Sequence, residues 1–146
     1  MKAKEYLNRA YRIDCRINSK MEQLSRLRAL ASRSTSAFGG EHVSHTRNVT
    51  SLEDNIIRII EAEHELDEQI DMLVDLKREI QQTIDLVADA DCRLLLELRY
   101  LCMKRWQDIS VAMELGRTQL HNIHTKALAM VETVLRTREA NNGTQV

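Results

Sequence analysis

Leu52, Ile59, Leu66, Leu73, Ile80 and Val87 recur at intervals of seven, and Ile56, Ile70 and Ile84 stand beside them on the same side of a helix. A strict seven-residue apolar period is slightly shorter than two turns of a straight α-helix, so it stays on one face only if the helix winds around a partner. Glu63 and Lys77 interrupt the stripe, where Ile60, Val74 and Leu76 can compensate. The chain of 146 residues contains no proline, four glycines and 3% aromatic residues. Such a composition suits long helices and leaves too few large side chains for one broad globular core. An all-α protein built on a coiled coil is the predicted class.

A second stripe supplies the partner. Ala3, Tyr6, Ala10, Ile13, Ile17, Leu24, Leu27 and Ala31 follow the coiled-coil interval, with Lys20 interrupting beside Met21. Between the stripes lies SRSTSAFGGEHVSHTRN, whose Ser, Thr, Gly and His content reads as a connector over residues 32–49. Thr50 and Glu53 then have the form of a capping box opening the second helix. Residues 1–49 hold ten basic and four acidic side chains, net +6, and residues 50–91 hold three and thirteen, net -10. At ~1.5 Å per residue the two helices would run roughly 45 and 55 Å. Similar length and opposite charge predict an antiparallel coiled-coil hairpin over residues 1–88, with the basic helix along the acidic one. Surface ion pairs worth about 0–1 kcal/mol each would orient the pair, and the apolar seam would hold it. A two-stranded hairpin has a thin core, so a second apolar face would recruit another copy and give a homodimer.

Asp89-Ala90-Asp91 breaks the period and offers N-cap residues for a new helix. Leu94, Leu95, Leu98 and Leu101 make that helix apolar. Farther on, Ile109, Met113, Leu115, Leu120 and Ile123 are spaced as the inward positions of a helix-turn-helix. In this reading one helix opens at Trp106 and ends near Met113, and the second starts near Arg117. Leu95, Leu98, Trp106 and Leu128 complete a small core over residues 89–136, and residues 137–146 form a flexible polar tail.

Other chemistries find little support. Cys15, Cys92 and Cys102 have no CxxC or other metal-ligand spacing and read as reduced thiols of a cytoplasmic protein. Glu61 and His64 have the Glu-x-x-His spacing of di-iron bundles, but no second such motif exists. His42 with His45, and His121 with His124, lack companion ligands. No nucleophile, base and oxyanion set can be assembled, so neither an enzyme nor a cofactor is expected. There is no membrane-length apolar run and no signal peptide, since charge begins at Lys2.

The segment LLLELRYLCMKRWQDISVAMELGRTQLHNIHTKAL resembles region 4 of bacterial sigma-70-type RNA polymerase sigma factors, through Leu96, Leu98, Arg99 and Tyr100, the Ile109 helix, and His124, Ala127 and Leu128. Over most of residues 1–135 the chain is similar to small phage and prophage proteins of Gram-positive bacteria that join an N-terminal coiled coil to such a C-terminus. Ala3-Lys4-Glu5-Tyr6-Leu7 and Val74–Ile80 belong to the match. The resemblance implies a phage transcriptional regulator with double-stranded DNA as partner, in a bacterial host cytoplasm, with the coiled coil dimerising or contacting RNA polymerase. In the turn the family has Gly where this chain has Glu114 and Ser where it has Gly116, Ser110 stands where Ala is frequent, and many relatives carry Arg at Asn122.

Helical periodicity places the candidate DNA-binding residues outward on the second helix of the motif. Gln119 and Asn122 suit bidentate pairing with adenine, Arg117 and Lys126 suit phosphate, and His121 suits either. Thr118 and Thr125 share that face. Residues 92–146 carry eight basic and five acidic side chains, net +3, a modest charge for a duplex binder. That balance keeps a second reading open, a helical adaptor whose sigma-like domain binds RNA polymerase or another protein without reading DNA.

Overall fold

A computed structural model describes residues 2–36 and 45–144. It is all-helical, with no strand among the described residues: α1 spans Ala3–Ser36, α2 His45–Asp85, α3 Ala90–Leu96, α4 Trp106–Met113 and α5 Arg117–Gly143. No helix among these residues is long and apolar enough to cross a membrane. Helical structure enters the expected 32–49 connector from both sides, and residues 37–44, with Phe38 and His42, lie outside the described residues. Thr50 is not the N-cap of α2, because the helix is already under way at His45. His45–Val49 contains neither Gly nor Pro to stop it. The C-terminal tail also differs from expectation, since α5 continues to Gly143.

Two compact units divide the chain, one of Met1–Arg12 with Leu73–Val146, the other of Ile13–Met72. The expected boundary at 88/89 therefore falls inside the first unit.

In the unit Ile13–Met72, the α1 stripe buries Ile17 and Leu24 and half-buries Ile13 and Leu27, as the seven-residue period requires. On α2, Leu52, Ile59 and Leu66 turn inward, but Ile56 and Ile70 are 46% and 39% exposed. Asn55, Ala62 and Gln69 occupy the other half of the seam, three residues after each inward residue rather than four. An a/d seam has this spacing, and it costs apolar area, because polar Asn55 and Gln69 replace two isoleucines. Across the seam Lys20 pairs with Glu65 and Arg28 with Glu63, the latter at 2.8 Å.

The other unit holds most of the fully buried side chains, among them Leu7, Ile80, Ile84, Leu95 and Leu96. Its centre also contains a polar knot. Thr83 is completely buried and its hydroxyl lies 2.8 Å from the Tyr6 hydroxyl, while Arg138 donates to it at 2.6 Å. Arg9 pairs with Glu79 at 3.2 Å and its guanidinium covers the Tyr6 ring at 4.4 Å. Buried hydroxyls tolerate such a position only when hydrogen-bonded, so the knot fixes Tyr6 of α1, Thr83 of α2 and Arg138 of α5 together.

α3 begins as expected at Asp89, whose side chain accepts the Cys92 amide at 3.0 Å. It then runs into a π-helical turn at Glu97–Leu101, closed by Cys102 N donating to Glu97 O at 2.9 Å. The extra residue per turn rotates the following side chains. Tyr100 is thereby buried, whereas ahead of the turn Leu96 is buried already and Leu94, expected inside, is 42% exposed. Leu95, Ile109 and Leu120 form the core between α3, α4 and α5, with Leu98, Trp106, Met113, Leu115 and Ile123 packed against it. Leu128 is half-buried outside this cluster.

Candidate nucleic-acid interface

The α4–α5 turn is built from four backbone and side-chain decisions. Glu114 takes the left-handed conformation at φ 55°, ψ 40°. Its amide donates to Val111 O at 3.3 Å and the Leu115 amide to Ser110 O at 3.1 Å, the pair of bonds that closes a Schellman motif. The Ser110 hydroxyl adds a third bond, to Leu115 O at 2.5 Å, which an alanine there could not make. Gly116 then caps α5 in an extended conformation at φ -74°, so its place in the turn does not depend on glycine's conformational freedom. The Gln119 side chain accepts the Gly116 amide at 3.2 Å. Glycine has no side chain to return that bond, so only half of a capping box forms.

All seven residues expected to face outward on α5 are exposed. Three of them are engaged. Gln119 holds the cap, Thr125 donates to His121 O at 3.0 Å, and Lys126 pairs with Asp89 at 3.0 Å. The Cys92 amide first, and then Lys126, hold the Asp89 carboxyl down to about 2. The side chains of Arg117, Thr118, His121 and Asn122 make no hydrogen bond or ion pair with another described residue. They present a guanidinium, a hydroxyl, an imidazole and an amide along the first two turns of the helix.

Beside this face lies a cleft of about 590 Å³. Trp106, Gln107 and Ser110 line it from α4, and Arg117, Leu120, His121 and His124 from α5. Two of the lining rings, Trp106 and His124, belong to an aromatic group that continues to Tyr100 behind them. The His124 ring meets Trp106 edge-on at 4.8 Å and stacks with Tyr100 at 5.9 Å, and its Nε2 lies 2.7 Å from the Tyr100 hydroxyl. Arg99 covers the Trp106 ring at 4.8 Å and donates to Lys104 O at 3.0 Å. Burial pushes the His124 pKa down to about 4, helped by the positive charges of Lys4, Arg99 and His121. Burial also raises that of Tyr100. At neutral pH, then, this group holds an uncharged imidazole hydrogen-bonded to an intact phenol.

The sequence reading identified Arg117 and His121 but missed the other walls. Gln107 gave no signal beyond being one polar residue on a short helix, and Trp106 and His124 fit an inward periodicity, which hides a partly open side chain. No group of three or more His, Cys, Asp or Glu side chains that could hold a metal occurs among the described residues. Compared with family models, with curated proteins and with solved structures, the chain has no match.

Proposed function

We propose that this chain is a non-enzymatic, DNA-binding transcriptional regulator of the phage type, a sigma region 4-like helix-turn-helix preceded by an antiparallel coiled-coil hairpin. The observation that carries the reading is the exposed, unengaged set Arg117, Thr118, His121 and Asn122 on the helix that follows a tight helix-helix turn. A helix presented this way fits the major groove, where Asn122 can pair bidentately with adenine and Thr118 can meet either a base edge or a phosphate. Lys126 and Gln119, engaged elsewhere, contribute less to contact than their residue types suggest. The hairpin part of the reading is supported by the Lys20–Glu65 and Arg28–Glu63 pairs, which join the basic helix to the acidic one.

The adaptor reading has its own support. Ile56, Ile57 and Ile60 are 46%, 53% and 59% exposed on α2, a surface suited to a protein partner such as a second copy or RNA polymerase.

Binding of the full chain to candidate promoter duplexes across a salt series separates the two. The regulator reading expects affinity that falls steeply with salt, and an Asn122→Ala change that lowers preference for the best duplex by about 1–3 kcal/mol. Salt-independent or absent duplex binding, with retained capture of RNA polymerase, would establish the adaptor instead.

A further inference from the structure

The cleft between α4 and α5 differs from the outward face of α5 in shape and in chemistry. A projecting helix can enter a groove and reach base edges. A concavity cannot, but it can receive a ridge, and on a duplex the ridges are the two sugar–phosphate strands. The lining is also selective in charge. In a chain with 22 acidic residues, no carboxylate among the described residues lines the cleft, while Arg117, His121 and the Gln107 amide supply donors there. Trp106 and Leu120 supply apolar wall. The Ser110 hydroxyl is already given to Leu115 O, so it closes the turn and does not serve the cleft.

His124 reports on the local field. Burial is the largest cause of its low pKa, and the positive charges of Lys4 and Arg99 add to it. Two cationic side chains thus act near the cleft although the C-terminal block as a whole is only modestly basic. The volume, about 590 Å³, lies within the ~300–1,000 Å³ of ligand-sized clefts and exceeds what a lone phosphate fills.

We propose that this cleft takes the sugar–phosphate backbone of one DNA strand, with a phosphate on Arg117, Gln107 and His121 and the adjoining deoxyribose against Trp106 and Leu120. The proposal rests on the DNA-binding reading above and assigns it a division of labour. The cleft gives sequence-independent affinity and sets the register, and Asn122 and Thr118 read bases. Gln107 and Trp106 thereby become contact residues on α4, outside the helix expected to carry them all.

Trp106 is the only tryptophan, so its fluorescence reads the cleft directly. The test titrates the full chain with a mixed-sequence duplex, following Trp106 emission and duplex anisotropy together, with inorganic phosphate and a deoxynucleoside monophosphate as separate titrants. The two signals are expected to share one midpoint. Arg117→Ala should weaken all duplexes alike, by about ten-fold at low salt, and reduce the slope of log affinity against log salt by about 1. Gln107→Ala should weaken them alike by a smaller factor, with the helical circular dichroism signal of the unliganded chain showing that both variants are folded. Duplex binding that leaves Trp106 emission unchanged, or an unaltered salt slope in Arg117→Ala, overturns the cleft assignment and leaves the DNA-binding reading standing. Saturation of the cleft by the free nucleotide without competition from duplex overturns it in favour of a small-molecule site. Failure of the full chain to bind any duplex removes both readings together.

Discussion

At the scale of single residues, the α4–α5 turn shows how a chain accommodates an unfavourable choice. A left-handed conformation costs a non-glycine residue about 1–2 kcal/mol, and Glu114 adopts it at φ 55°. The Schellman turn that joins α4 to α5 requires that conformation there, so the cost is met elsewhere. The Schellman bonds and the Ser110 hydroxyl are what offset it. Hydrogen bonds closing the turn thus outweigh the local preference of a non-glycine residue against positive φ. Glu114→Gly should relieve the strain while adding some freedom to the unfolded chain, for a net gain of about 0.5–1 kcal/mol. Urea denaturation followed by Trp106 emission checks this, and a lower midpoint in the variant would show that the glutamate side chain itself stabilises the turn.

At the scale of the element, α2 turns inward the less apolar of the two faces that its sequence offers. One face runs through Ile56 and Ile70, the other through Asn55 and Gln69, and the latter is turned inward. Two ion pairs with α1, to Glu63 and Glu65, lie along the seam that results. Gln69 Oε1 is left buried with no hydrogen-bond partner among the described residues. An unsatisfied buried acceptor costs about 1–3 kcal/mol, and an apolar side chain of similar size removes the cost. Gln69→Leu should accordingly raise stability by about 1–2 kcal/mol, read as a shift in the thermal midpoint of the helical circular dichroism signal. A lower midpoint would mean that Gln69 is satisfied in solution. The isoleucines left outside by this choice form the surface on which the adaptor reading draws.

At the scale of the whole molecule, the first ten residues belong to the same compact unit as the candidate interface. Ala3, Tyr6, Leu7 and Ala10 are buried there, and Tyr6 shares Thr83 with Arg138. A segment cut out at residue 89 would lose these partners, which is why the binding experiments use the full chain. Leu7, far from α4 and α5 in sequence, is fully buried, and Leu7→Ala should cost about 2–5 kcal/mol. Because one unit unfolds as one, that loss should appear in the Trp106 transition. Loss confined to the helical signal, with the Trp106 transition unmoved, would show that the N-terminal turns and the interface unfold separately.

Local patterns in the sequence determined the helical class, the α1 stripe, the Asp89 cap, and the limits of α4 and the start of α5. Each of these depends on residues within a turn or two of one another, so nothing distant is needed to read them. The seven outward residues of α5 were legible for the same reason. Tertiary contacts decided the rest. Asn55 and Gln69 lie half-buried while Ile56 and Ile70 stay exposed, a choice that periodicity alone does not make, and Tyr100 is buried because a π-helical turn rotates it toward its neighbours. Gln119 and Lys126 are engaged because the Gly116 amide and Asp89 lie within reach, and the latter is 37 residues away. The cleft itself needs two helices in place before it exists. A periodicity can name the residues that point away from a helix, but only the packed chain determines which of them still have a hydrogen bond to give.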